Sequence, residues 1–217
     1  MIGLKVVENT PPSFKKLLLN FPSKKYKKGE ILLHSEEEPA RLFCLREGFV
    51  REFIISEEGE ELTIHIFEPG SYFPLTWALG DIPNRHSFQA LTPGTTTLLP
   101  KRELIKFLNK NPQFAYKLSR RLIRGIDGLE RRIEVTTFGD IYKRVVSILL
   151  YLAKHFGSGP DSSKSLKYKF SHQEIAHLVG ATRERVSLSI EKLKKKKIVS
   201  HKGHQIFFDL SKLSAEL

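Results

Sequence analysis

Residues 171–199 read SHQEIAHLVGATRERVSLSIEKLKKKKIV, two helical segments joined by a glycine-centred turn and followed by a basic run. Ser171 and Glu174 stand in the S-x-x-E spacing of a capping box, where hydroxyl and carboxylate each satisfy a backbone N–H orphaned at a helix start. Ile175, Leu178 and Val179 give the first helix a buried side, and Ala176 is small where a second helix must cross closely. Gly180 ends that helix because it accepts the left-handed backbone of a tight turn. Thr182 can cap the second helix, along which Val186, Ile190 and Leu193 recur at i, i+4 and i+7 and mark one buried face. At about 100° per residue the opposite face carries Glu184, Ser187, Leu188 and Glu191, with Arg183 at its N-terminal flank.

Downstream, HKGH (201–204) sits between IVS and QIFF and reads as a hairpin with Gly203 in its turn. A capped helix, a glycine turn, a second helix and a hairpin make a winged helix-turn-helix, whose second helix enters a DNA major groove. The charge distribution agrees. Of the net +12, residues 1–108 contribute nothing (14 Lys/Arg against 14 Asp/Glu), while residues 109–217 hold 22 Lys/Arg against 10 Asp/Glu. A neutral half joined to a strongly basic one suggests a sensing domain attached to one that meets a polyanion. A membrane surface would attract the same charge, but no basic amphipathic stretch carries the aromatic face that would anchor it.

Working towards the N-terminus, residues 26–99 read as short strands separated by turn signals. EILL (30–33), RLFCL (41–45), FVREFII (49–55), ELTIHIF (61–67) and TTTLL (95–99) are rich in β-favouring residues, with glycines at 29, 48, 59 and 70 between them. Spacing near ten residues favours a small barrel or sandwich over a parallel α/β fold. A helical region follows: one helix over 101–109, and a longer one from Pro112, a residue well placed at a helix start. Phe114, Leu118, Leu122, Ile126, Leu129 and Ile133 draw a narrow apolar stripe along the longer helix, and Arg120, Arg121, Arg124, Arg131 and Arg132 fill much of the rest. Such a stripe on a charged helix suits a two-stranded helical contact, so these six residues are the expected dimer interface. Ile141, Val145, Leu149 and Leu152 mark a further helix, and GSGPDSSKS (157–165) reads as a loop.

Several function classes are excluded. A single cysteine, Cys44, leaves no internal disulfide and no four-cysteine zinc or iron–sulfur site. Its apolar strand marks it as inert core. No paired carboxylates, nucleophile motif or metal-ligand spacing is present, so neither catalytic nor metal residues are expected. No apolar run spans a bilayer and the first residues lack the long apolar stretch of a secretory signal, which points to a cytoplasmic protein.

The 171–199 segment closely resembles the DNA-binding helices of the CRP/FNR superfamily of bacterial transcription regulators. The remainder matches in order: YKKGEILL, RLFCLREGFVREFI and EEGEELTIHIFEPGSYF are similar to that family's cyclic-nucleotide-binding-type β-roll, and the 112–136 helix stands where the family places its dimer helix. The resemblance implies an α+β chain: a jelly-roll-like β-roll sensor (1–111), a dimerisation helix (112–136) and a winged helix-turn-helix (137–217). It implies a homodimer on a near-palindromic DNA operator, with RNA polymerase as a possible partner. The competing expectation is a β-roll signalling module that binds nucleic acid without sequence preference.

The family commonly reads bases with an Arg-Glu pair at the helix start and an Arg one turn later. Arg183 and Glu184 match the pair and Ser187 lies a turn beyond, but Leu188 occupies the later arginine's place. Thr182, Lys192 and the wing's Lys202 are expected on phosphates. Members that bind cyclic AMP carry P-G-[DE]-x-F-G-E-x and then R-[ST]-A. Here Leu75 stands in place of the glutamate, and His86-Ser87-Phe88 in place of Arg-Ser-Ala. Arg85 is one residue away, a shift that sends a strand side chain to the opposite face. Cyclic AMP is therefore not expected to bind. Tyr72, Phe73, Leu75, Trp77, His86 and Ser87 form the expected effector pocket, either self-filled or fitted to a non-nucleotide molecule. No cofactor is expected; His34, His65 or His86 could ligate haem, but strand histidines are more often hydrogen-bonded structural residues.

Overall fold

The computed structural model describes residues 11–166, 168–202 and 205–217. These residues divide into two compact units, one of 11–59 and 63–127, the other of 60–62 and 128–217.

The first unit opens with α1 (Pro12–Leu18), a helix outside the sequence expectations, which buries Phe14. Eight strands follow: β1 (Ser23–Tyr26), β2 (Ile31–Leu33), β3 (Leu42–Glu47), β4 (Val50–Ile55), β5 (Glu61–Phe67), β6 (Tyr72–Phe73), β7 (Ser87–Ala90) and β8 (Gly94–Leu99). They form two four-stranded sheets, ordered β1-β8-β3-β6 and β2-β7-β4-β5, so sheet neighbours are often distant in sequence. A short helix, α2 (Leu75–Gly80), interrupts the strands between β6 and β7.

Phenylalanines fill the interior between the sheets. Phe73 stacks on Phe88 (4.9 Å between centroids) and on Phe43 (5.3 Å), and Phe67 tilts against Phe73 at 4.6 Å. At the edge, the Tyr26 hydroxyl donates to the Glu47 carbonyl at 2.5 Å. Gly94 lies against this bond: a Cβ there would sit 2.2 Å from the Glu47 oxygen and 2.3 Å from the Tyr26 hydroxyl. Only glycine lets the two backbones approach so closely.

A second core lies outside the roll, where α3 (Lys101–Lys110) and the first turns of α4 (Pro112–Phe138) meet α1. Phe114 stacks on Phe14 at 5.3 Å and meets Phe107 edge-on at 5.6 Å. This corrects the expected dimer stripe. Phe114 and Leu118 are 7 % and 5 % exposed, spent on the chain's own core, because helical periodicity marks a buried face without saying what buries it. Arg121, one of the arginines around that stripe, is half-buried beside the Tyr72 ring, and burial lowers its pKa to about 10 against the opposing pull of Tyr72 and Glu68.

The second unit begins with the end of α4, two residues longer than expected. Arg132 on that stretch donates to the Leu178 carbonyl at 2.9 Å. After Gly139, Asp140 caps α5 (Ile141–Phe156) by accepting from the Lys143 N–H at 2.8 Å. Val145, Val146, Leu149, Leu152 and Phe156 form that helix's buried face. β9 (Gly157–Ser158) and β10 (Lys164–Leu166) then pair antiparallel, where the sequence suggested only a loop. The turn composition is correct for the link between them, but the strands exist through β12, a partner some forty residues on. α6 (His172–Val179), α7 (Arg183–Lys195), β11 (Val199–Lys202), β12 (Gln205–Phe208) and α8 (Leu210–Ser214) complete the unit, with sheet order β11-β12-β10-β9. No described helix is long and apolar enough to cross a membrane.

Candidate nucleic-acid interface

The capping box forms as expected. Ser171 Oγ accepts from the Glu174 N–H at 3.1 Å, and Glu174 Oε2 accepts from the Ser171 N–H at 2.7 Å. The other Glu174 oxygen accepts from the Tyr168 hydroxyl, tying the cap to the segment before it. Gly180 ends α6 at φ +62°, the left-handed conformation its position requires. Thr182 caps α7, and Val186, Ile190 and Leu193 turn inward with almost no exposure.

What remains outside is the expected face. Thr182, Arg183, Glu184 and Leu188 are exposed, Leu188 at 71 %. Glu191 pairs with Lys194 at 2.5 Å, which spends its charge within the helix. Lys192 holds its ammonium 4.2 Å above the Tyr142 ring. Ser187 departs from expectation: its hydroxyl donates to the Arg183 carbonyl at 2.9 Å and meets His172 Nδ1 at 2.8 Å, so its bonds are made within the protein. Arg185 is the exposed cation that sequence reasoning passed over; its place three residues before Leu188, on the flank of the same face, was the available signal. In the wing, β11 and β12 pair from Val199↔Phe208 to Lys202↔Gln205. Gly203 and His204 lie outside the described residues, as does the Lys202 side chain.

The residues expected to line one effector pocket separate into two groups. Strand alternation sends Tyr72 into the outer core with Phe14, where Leu75 and Trp77 also pack, and sends Phe73 into the roll interior. His86 Nδ1 pairs with Glu52 Oε1 at 2.6 Å, and Ser87 Oγ accepts from the Ser35 N–H at 2.9 Å. Glu52 raises the His86 pKa by hydrogen bonding, partly opposed by burial and Arg85. Burial pushes the Cys44 thiol up to about 12, which leaves it unreactive. On α4, Leu122 is half-buried, while Ile126, Leu129 and Ile133 stay exposed, Leu129 at 42 % and Ile133 at 65 %, together with Ile123. Among the described residues no three His, Cys, Asp or Glu side chains gather as a metal site.

Two family models match the chain in order, a cyclic nucleotide-binding domain over residues 23–111 and a Crp-like helix-turn-helix domain over residues 143–216. The chain belongs to the CRP/FNR family of transcription regulators. It is 29 % identical over 177 residues to a global nitrogen regulator of Nostoc sp., covering 81 % of this chain and 79 % of that one. It is 25 % identical over 185 residues to the cAMP-activated global transcriptional regulator CRP of Pasteurella multocida, covering 84 % and 87 %. A solved CRP/FNR-family transcriptional regulator from Thermus thermophilus superposes with a TM-score of 0.70 at 25 % identity, covering 89 % of this chain and 97 % of that one. The family consists of DNA-binding regulators, not enzymes, and residues 143–216 are this member's helix-turn-helix domain. The 112–142 stretch, most of it α4, lies between the two matched models.

Proposed function

We propose that this CRP/FNR-family regulator acts as a homodimer on a near-palindromic operator, without responding to cyclic AMP. The exposed face of α7 carries this reading: Arg183 and Glu184 stand at its start, with nothing but Leu188 where a second base-reading cation would be. Glu184 accepts from cytosine N4, Arg183 takes guanine or a phosphate, and Leu188 leaves its base pair to apolar contact. Thr182, Lys192 and Lys202 hold phosphates and fix register. The work divides among a β-roll (1–111), a dimer helix and a DNA-binding unit.

The dimer contact runs along half-buried Leu122 and the exposed Ile126, Leu129 and Ile133, an apolar stripe that water disfavours. It sets two copies of α7 about one DNA turn, ~34 Å, apart. Cyclic AMP is disfavoured because Leu75 offers no acceptor to the ribose and His86, held by Glu52, offers no bidentate cation to the phosphate. The rings of Phe43, Phe67, Phe73 and Phe88 support a self-filled roll. Selection of binding sites from a random duplex pool, with sedimentation of the free protein, tests the reading. A palindromic motif and a two-chain mass are expected; binding without any preferred motif would leave only a nonspecific nucleic-acid binder. Calorimetry with cyclic AMP should give no saturable heat at micromolar concentrations.

A further inference from the structure

Within the DNA-binding unit, α5, α6 and α7 pack closely on one another, whereas among the described residues the end of α4 has no comparable packing against any of the three. Only Gly139 and Asp140 separate α4 from α5, and glycine is the residue that least restricts a backbone joint. Arg144 donates from Nε to the Gly139 carbonyl at 3.2 Å, but a bond at the pivot has no lever arm. The angle between α4 and the helix-turn-helix needs a second tether, set away from the glycine.

Arg132 supplies it. Two turns before Gly139, about 10 Å along the helix at about 1.5 Å per residue, its guanidinium donates to the Leu178 carbonyl at 2.9 Å. A rotation of about 10° at the glycine would carry that point of α4 sideways by about 2 Å, enough to break such a bond. The acceptor is one of the last carbonyls of α6, which have no donor within their own helix. The Ala176 carbonyl is served by the Gly180 and Ala181 N–H groups of the turn, and the Leu178 carbonyl by Arg132. A cation is favoured at a helix C-terminus, and its hydrogen bond to the carbonyl is charge-assisted. Arg132 is half-buried, and burial lowers its pKa against the opposing pull of Tyr151 on α5. The bond is thus partly shielded from water at the meeting of α4, α5 and α6.

We infer that Arg132 is a positioning residue for operator spacing: its bond to Leu178 holds the helix-turn-helix at one angle to the dimer helix, and so restricts the regulator to half-sites a fixed number of base pairs apart. Leu129 and Ile133 of the dimer stripe flank Arg132 and lie in the same unit as the motif. In a dimer joined there, the bond in each copy fixes how far its α7 stands from the twofold axis. Successive base pairs lie about 3.4 Å apart, so slack of that size at α7 changes the accepted spacing by one pair. The inference rests on the homodimer and palindromic operator proposed above, and the experiment tells the two apart.

The selected half-sites are placed at the selected spacing and at one and two base pairs more and fewer, alongside a duplex with a single half-site. Fluorescence anisotropy gives the affinity of wild type, Arg132→Met and Arg132→Lys for each. Methionine keeps the apolar stem and removes the donor; lysine keeps a donor. The wild type should fall about 100-fold or more two pairs from its optimum, where the dimer can no longer engage both half-sites. Arg132→Met should lose roughly tenfold at the optimum, since a joint freed in solution must be ordered again on binding, and should fall less than about tenfold two pairs away. Its affinity for the single half-site, its selected half-site motif and its two-chain mass should be those of the wild type. Arg132→Lys should recover the sharp spacing profile. An Arg132→Met profile as sharp as that of the wild type would overturn the inference, and so would an equal loss at every spacing, which would make Arg132 a matter of stability or charge. A wild type indifferent to spacing would instead sink the dimeric palindrome reading and the inference with it.

Discussion

His172 Nδ1 lies 2.8 Å from Ser187 Oγ and joins the first turn of α6 to the exposed half of α7. Ser187 has one proton to give, and the Arg183 carbonyl 2.9 Å away takes it. His172 must then donate from Nδ1, which fixes that tautomer. The two helices of the motif are thereby held by a polar bond at the rim of the DNA-facing surface, outside the apolar crossing of Ile175 and Val186.

Ser187→Ala should therefore change stability more than recognition. Loss of its internal bonds should lower the unfolding free energy by about 0.5–1.5 kcal/mol in urea. The motif selected from random DNA should be that of the wild type. A motif altered at one position in each half-site would instead put Ser187 on a base.

The α4 stripe divides between two duties, and two substitutions separate them. Leu118 sits in the β-roll unit's own core, so Leu118→Ala should cost about 2–5 kcal/mol of stability. Leu129 is exposed, so Leu129→Glu should leave the monomer folded and abolish the dimer. Circular dichroism checks the fold and sedimentation the mass. A Leu129→Glu protein that still sediments as two chains would place the interface elsewhere.

This division shows where sequence patterns stop being informative. The helix-turn-helix was legible because its signals are local: Ser171 and Glu174 are three residues apart, Gly180 sets its own turn, and Val186 to Leu193 fall on one helical face. The two-residue strand β6, the pairing of β9 with β10, and the burial of Phe114 depend on partners far along the chain, so no local window contains them. The effector pocket failed for a related reason. Tyr72 and Phe73 are adjacent in sequence, and a strand sends adjacent side chains to opposite faces. Arg185 was hidden differently, since an exposed arginine on the flank of a recognition helix looks like any solvated cation.

The His86–Glu52 pair should make the stability of the β-roll depend on pH. Glu52 raises the His86 pKa above its ordinary 6.5 in the folded state. A raised folded value means the pair's contribution is complete below 6.5 and is lost as pH climbs through the higher folded value. The wild type should therefore lose melting temperature across that rise relative to Glu52→Gln, in which the carboxylate no longer favours the imidazolium. Parallel melting curves for the two proteins would deny the pair any such role.

Leu188 offers the sharpest test of recognition. Its side chain is 71 % exposed at the middle of the α7 face, where burial would serve no folding purpose. Leucine cannot donate to guanine O6 or N7, and its methyls can only touch a thymine methyl or leave the pair unread. The half-site should thus keep a C·G pair opposite Glu184 and show thymine or no preference opposite Leu188. Leu188→Arg supplies a fork of donors at the same height on the helix, and it should impose guanine there with a discrimination of about 1–3 kcal/mol. The Glu184 position, one turn back, should be unaffected. Lys192→Ala provides the contrast: it should weaken every sequence similarly and lower the salt slope by about one. Site selection with wild type and Leu188→Arg decides the matter, because a wild-type motif that already demands guanine opposite Leu188 would mean that α7 sits in the groove in a different register.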